Sequence, residues 1–270
     1  MRSEDARNAD AGGNGLRGLF FQPHQDDAII SLGGTIQKLL KGGVEIVYVY
    51  MTDGRHGSRT IPPEELVAIR GREAAAEREL LGIDRYFELD IEDGTLGAMS
   101  GKRTAAAKAK IDRILTDCNP DIVFLPSRSD LHADHKYTDL MVIECLQEKG
   151  LAPLIVKYFV WLFPDFYRKT PDVAECVLMT GIDQNLNVKL AAIRLHASQL
   201  ALLSYDAMAA AANSYFAHAL RAPERIASHH VEITGLFNVV DNPGIFERYI
   251  HVVQPIVDIT EIFHGRCSTR

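Results

Sequence analysis

The groups with the most evident chemistry lie in two short polar stretches, each just after an apolar run. The first is Pro23-His24-Gln25-Asp26-Asp27, following Leu19-Phe20-Phe21. The second is Ser129-Asp130-Leu131-His132-Ala133-Asp134-His135, following Ile122-Val123-Phe124-Leu125-Pro126. Imidazoles and carboxylates in this mixture are the raw material of a mononuclear metal site. In a turn, adjacent side chains point in different directions, so one of Asp26 and Asp27 can hold a metal while the other faces a substrate. His132 and His135 are spaced i, i+3 near a helix start and share a face, about 5–6 Å apart. Two histidines and a carboxylate with one open position make a catalytic zinc shell. Such an ion lowers the pKa of a bound water to about 7. A carboxylate that is not a ligand can then take the water proton, and a further polar group can steady the oxyanion or protonate the leaving amine.

Each motif has an ordinary explanation when taken alone. His-x-x-His is common, and paired aspartates before a helix are most often an N-cap with a favourable dipole. Their joint occurrence at two strand ends is what favours a metal site. The spacing alone does not say which members bind.

The elements that position these stretches follow from hydrophobic periodicity. Strands are predicted over 19–21, 44–51, 86–89 and 121–126, and helices over 28–40, 62–81, 102–117 and 132–147. This β-α alternation predicts an α/β fold, a Rossmann-like, mostly parallel sheet with helices on both faces. Ligands bind such sheets outside the carboxyl ends of the strands. Both polar clusters fall there, as do the loops 52–59, with Asp53, Arg55 and His56, and 91–96. After Gly150 the pattern loosens. A strand over 155–163, helices over 185–203 and 207–220 and a strand over 249–253 are predicted to extend the sheet and wall a cleft. Residues 1–16 read as a flexible leader and 17–270 as a single domain with a divergent C-terminal region.

Composition narrows the class. The chain has 270 residues, 47% hydrophobic and 24% charged, which is ordinary globular usage. The net charge of -7 argues against a nucleic-acid partner. Four cysteines without a Cys-x-x-Cys pair are no disulfide framework and suit a reducing compartment. Cys145 reads as core. The acidic N-terminus is no secretory signal, and the most apolar stretch, 151–163, carries Lys157 and is too short for a membrane span. A cytoplasmic location is expected. Self-association into a homo-oligomer stays open. No Gly-x-Ser-x-Gly elbow surrounds Ser58 or Ser129, which excludes an elbow-type serine nucleophile.

These motifs resemble the PIG-L/LmbE-like de-N-acetylases. Pro23-His24-Gln25-Asp26-Asp27 resembles the family's Pro-His-x-Asp-Asp, and His132-Ala133-Asp134-His135 its His-x-x-His. Met51-Thr52-Asp53-Gly54, Arg70-Gly71-Arg72-Glu73, Asp93-Gly94-Thr95-Leu96 and the stretch from Lys189 to Gln199 resemble further family segments, so the likeness runs over about residues 17 to 200. The resemblance implies Zn²⁺ held by His24, Asp27 and His135, with Asp26 as general base and His132 stabilising the oxyanion or acting as acid. It implies that Arg70 and Asp93 contact sugar hydroxyls. The implied reaction removes the N-acetyl group from an N-acetylglucosamine derivative, a small-molecule N-acetylamino sugar. The pattern looks closest to members acting on small glycans, such as diacetylchitobiose deacetylases. Fe²⁺ or Co²⁺ could take the same ligands. Two positions depart from the pattern. Gln25 stands where many members have Pro, and Asp130 where some have a catalytic Tyr, so a Tyr role is not carried over. His251 is left out of the core set, and His229-His230 reads as a polar surface pair.

Other readings compete with this one. A nucleotide-binding α/β enzyme needs a phosphate loop, but Leu32-Gly33-Gly34-Thr35 falls inside a helix and no G-x-G-x-x-G follows a strand. A metal-stabilised sugar-binding protein without turnover has no need of a non-ligand carboxylate such as Asp26. Hydrolysis of another amide on an amino sugar, as in an antibiotic intermediate, uses the same groups.

Overall fold

The structure, a computed structural model, describes residues 15–160, 176–219 and 228–258. Among the described residues one sheet carries eight strands. β1 (Arg17–Gln22), β2 (Glu45–Thr52), β3 (Arg85–Ile91), β4 (Ile122–Pro126) and β5 (Leu154–Tyr158) run parallel. β6 (Cys176–Gly181), β7 (Val231–Phe237) and β8 (Pro255–Asp258) join by antiparallel pairing, giving the order β3-β2-β1-β4-β5-β7-β6-β8. The expected α/β architecture is therefore observed, and the C-terminal region does extend the sheet.

The inner parallel strands β1, β2, β4 and β5 are buried on both faces and so read as largely apolar runs, whereas the edge strand β3 alternates between exposed and less exposed positions. Within each run the side chains still alternate. Phe20, Tyr48, Tyr50 and Phe124 meet α1 (Asp27–Lys41), α2 (Pro63–Leu81) and α8 (Pro243–Val253) on one side. Leu19, Val47, Val49 and Val123 meet α3 (Lys102–Cys118) and α4 (Ala133–Glu148) on the other. Cys145 is buried in this second core, as expected. Among the described residues no helix is long and apolar enough to cross a membrane.

Strand order reverses between β1 and β4, the point where α/β sheets open a crevice. The join is narrow. It pairs Gly18 with Ile122, Leu19 with Val123 and Phe20 with Phe124. The Phe20 and Phe124 rings stack with centroids 3.8 Å apart. A Cβ on Gly18 would come within 3.0 Å of the Phe124 ring, so glycine lets that ring close the join.

α1 is not one straight helix. It breaks at Leu32 (φ -125°, ψ 21°). The N–H groups of Gly34 and Thr35 donate to the carboxylate of Glu232, on β7, at 2.9 and 2.7 Å. Lys189, on α5 (Leu186–Arg194), closes the arrangement. Its Nζ lies 2.7 Å from Glu232 Oε1 and donates to Asn213 Oδ1 (3.0 Å) and to the Ser31 carbonyl (3.3 Å). Lys189 and Glu232 are both buried. A Cβ on Gly34 would strike Ile182, so glycine is what lets this segment pack at the break.

Two expectations fail in the C-terminal region. Residues 249–253 are not a strand but the end of α8. Pro243 opens that helix, and Tyr249 and Val253 are its buried pair at i, i+4. A short apolar run does not distinguish the two states. His251 is exposed on the outer side of α8 and does not enter the cleft. The predicted helix over 185–203 is two helices, α5 and α6 (Ala197–Leu200). His196 leaves helical geometry (φ -85°, ψ 58°) between them, and its Nε2 lies 2.7 Å from Glu77 Oε2. The helix over 207–220 is observed as α7 (Tyr205–Ala219), and position 220 lies outside the described residues. The strand over 155–163 is observed as β5, with 161–163 outside them, as are residues 1–14 of the leader. His230 is held at the surface, 3.0 Å from Asp183.

Candidate metal centre and its cleft

The turn from β1 into α1 and the turn from β4 into α4 meet at the switch point, and this brings the three imidazoles together. Ring centroids are 4.8 Å apart for His24 and His132, 5.6 Å for His24 and His135, and 5.2 Å for His132 and His135. Asp27 stands between two of them. Its Oδ2 is 3.3 Å from His24 Nδ1, and its Oδ1 is 3.4 Å from His135 Nε2. A four-coordinate ion with ligands at about 2.0–2.1 Å has ligand–ligand edges of roughly 3.3–3.4 Å. Both ring nitrogens of His135 are buried without a well-formed hydrogen bond, the nearest groups being Asp27 Oδ1 for Nε2 and Asp130 Oδ2 for Nδ1. A buried nitrogen without a partner is costly unless something is bound there. The donor set His24, Asp27 and His135 therefore fits a metal.

The remote nitrogens are also provided for. His24 Nε2 lies 3.0 Å from Asp93 Oδ1 and 3.5 Å from Asp134 Oδ2. His135 Nδ1 lies 3.1 Å from Asp130 Oδ2. Carboxylates behind imidazole ligands fix their tautomer and raise their basicity. Asp134 also accepts from the N–H of Gly94 (2.7 Å) and of Leu96 (3.2 Å), tying the 93–96 loop to the first turn of α4. Other ligating combinations exist on distance alone. Nitrogens of His24, His132 and His135 lie within 4.8 Å of one another, and so do ligating atoms of His24, Asp93 and Asp134. Against His132 as a ligand stands its Nδ1, which accepts from the N–H of Asp134 at 3.2 Å. Neutral His132 therefore carries its proton on Nε2.

The fields in the site follow from these pairings. Burial would lower the pKa of His24, but Asp27, Asp134 and Asp93 hold it well above the usual value. Burial likewise opposes the charge on His135, and Asp27 and Asp130 overcome it, raising its pKa to about 9. Burial also works against the Asp27 carboxylate, yet the same two imidazoles keep it well below the carboxylate range. His132 moves the other way, lowered by burial and by its positive neighbours.

Asp26 turns away from this set. Its Oδ1 accepts from Arg70 Nη2 at 2.6 Å, and both side chains are buried. Arg70, read from the sequence as a sugar contact, thus spends its nearest donor on Asp26. Asp93, read the same way, sits behind His24. Both still line the cleft, which holds about 530 Å³ and has His24, Asp26, Asp27 and His132 in its lining. From the loop after β2, His56 reaches the cleft, whereas Asp53 and Arg55 do not; they pair with each other at 2.7 Å.

Asp130 and Asp134 have no assigned role in the sequence reading. The only local signal is their position, two residues before His132 and one before His135. Gln199 and Tyr205 also line the cleft, from α6 and α7, and nothing in the sequence singles Tyr205 out. Glu73 explains how that wall is held. It accepts from the N–H and Oγ of Ser198, both at 2.7 Å, and so docks α6 on α2.

The chain is similar to proteins whose activities are named. It is 29% identical to the diacetylchitobiose deacetylase of Thermococcus kodakarensis over 67% of this chain and 69% of that protein. It is 28% identical to a probable N-acetyl-alpha-D-glucosaminyl L-malate deacetylase 2 of Bacillus cereus, over 70% of this chain and 86% of that one. The structure superimposes on N,N'-diacetylchitobiose deacetylase from Pyrococcus horikoshii, bound to an inhibitor, with a TM-score of 0.64 and 26% identity, covering 86% and 85% of the two chains. Residues 19–146 match the family profile described as PIG-L, GlcNAc-PI de-N-acetylase. Those residues carry every aspartate and histidine of the centre, and they form a PIG-L family domain.

Proposed function

We propose that the protein is a metal-dependent deacetylase that hydrolyses the N-acetyl group of an N-acetylglucosamine-containing small molecule, with Zn²⁺ as the metal. The named deacetylases among its relatives support an enzyme of this class. His24, Asp27 and His135 would hold the ion, which when bound supplies Lewis acidity and acidifies a water at the site.

The chain's own residues do the rest. Asp93, Asp134 and Asp130 orient the two imidazoles from behind. Asp26 faces the cleft with one oxygen held by Arg70, leaving the carboxylate placed to take a proton from the attacking water. His132 presents Nε2–H, a donor for the oxyanion or for the departing nitrogen. The polar rim at His56 and Ser58 offers partners to sugar hydroxyls. The reading takes residues 17–270 as one catalytic unit acting in the cytoplasm. The single sheet supports the first part.

The observation that carries this proposal is Asp26, a buried carboxylate in the cleft, beside the donor set but paired with Arg70 instead of a histidine. The test is acetate release from a panel of N-acetylamino sugars by zinc-loaded protein. Asp26→Ala should lose activity by at least about 10²-fold while keeping its zinc content. Full activity in that variant would sink the base assignment. Tight sugar binding without acetate release from the parent protein would sink the enzyme.

A further inference from the structure

The cleft is lined by side chains of two chemical kinds. One comprises the donors and acceptors that suit a sugar: His56, Ser58, Arg70 and Asp93. The other comprises Ile30, Val160, Leu202, Leu203 and Tyr205. Leu202 and Leu203 are 46% and 39% exposed. They sit on the turn between α6 and α7, which is fixed from both ends. The N–H groups of Leu202 and Leu203 both donate to the Gln199 carbonyl, and Tyr205 N–H donates to the Leu203 carbonyl at 2.7 Å. Their exposure is therefore set by a bonded turn. Two adjacent large apolar side chains left open at the mouth of a polar site mark a place where an apolar ligand group is covered.

We propose that this wall is a subsite for an apolar group, alkyl or aryl, carried on the anomeric oxygen of the amino sugar. The inference rests on the deacetylase reading for the placement of the sugar. With the amide over His24, Asp27 and His135, the floor of the cleft beside the acyl end is formed by Asp26, Asp93 and His132. That floor is polar and leaves no apolar path for a longer acyl chain. The anomeric substituent is the part of the substrate that reaches the leucines. A second sugar or a charged acid there would give up hydrogen bonds to water and meet mostly hydrocarbon.

The test separates this subsite from the reaction. Dissociation constants of methyl, butyl and hexyl 2-acetamido-2-deoxy-β-glucosides are measured by calorimetry on the zinc-loaded full chain carrying Asp26→Ala, with diacetylchitobiose and N-hexanoylglucosamine alongside. Affinity should rise with aglycone length, by up to about fourfold for each methylene that is covered. Leu202→Ser/Leu203→Ser should flatten that dependence. Leu80→Ser should keep it, since Leu80 is 48% exposed but lies outside the cleft. Equal affinity for the methyl and hexyl glycosides overturns the proposal. So does a length dependence that survives the double substitution, or a gain found on the N-acyl compound but not on the glycosides. Acetate release by the parent protein is scored separately. A length dependence without any acetate leaves the subsite standing and removes the deacetylase.

Discussion

Replacing Glu232 with Ala probes the least expected contact in the fold. Its carboxylate caps two N–H groups at the break in α1 and neutralises Lys189, and the whole assembly is buried. Burial pulls the pKa of Lys189 down and Glu232 pushes it back up, so removing Glu232 leaves an ammonium with only the Asn213 and Ser31 oxygens. Stranding one member of a buried pair costs about 3–5 kcal/mol. With unfolding entropy of about 2.1 cal/mol/K per residue, the 270-residue chain unfolds with roughly 570 cal/mol/K. The expected fall in Tm is therefore about 5–9 °C by calorimetry of the metal-free protein. Lys189→Met/Glu232→Gln removes both charges yet keeps an acceptor for one of the two N–H groups of Gly34 and Thr35, and it should lose less than Glu232→Ala alone. A drop under about 2 °C for Glu232→Ala, or a double variant worse than the single, would refute the pairing argument.

Two further outcomes concern the centre. Asp134→Asn should weaken zinc binding about 10–100-fold in a chelator competition, because it loosens both His24 and the 93–96 loop; unchanged affinity would deny Asp134 that role. The pKa of His135 is raised to about 9, and that of His24 is raised as well. A raised folded value means that their contribution to metal-free stability is complete below the unfolded value of about 6.5 and is lost as pH climbs through about 9. The Tm of the metal-free protein should fall over that window. Zinc affinity should rise over it, with about two protons released per ion at pH 7, measurable from the buffer dependence of the binding enthalpy.

The first half of the fold was legible because its signals are local. Residues 44–51 are β-branched and aromatic, Pro62-Pro63 and Gly82 bracket α2, and Asn119-Pro120 ends α3. The side chains of the centre were legible for the same reason: they cluster within two turns at strand exits. What the sequence hid lies in contacts without periodicity. Glu232 caps Gly34 from 198 residues away, and Glu77 fixes His196 from 119 residues away. The end of α8 was misread because Tyr249 to Val253 is too short a run to distinguish a period of 3.6 from one of 2. Arg70 was expected to contact a sugar and does line the cleft, but its engagement with Asp26 depends on the direction of α2, which no local pattern reports.

The narrow join between β1 and β4 bears on the metal centre proposed above. His24 and Asp27 ride on one strand exit and His135 on the other, so the span between them is set by three register pairs and one stacked ring pair. The gauge of the centre is thus cut in a hydrocarbon seam whose residues hold no metal. Enlarging Gly18 or trimming Phe124 would shift one strand against its neighbour and resize the coordination cage, with all of its ligands still present. On the proposed metal reading, ionic preference would drift through core substitutions that leave both motifs unaltered, a change invisible in the motifs themselves.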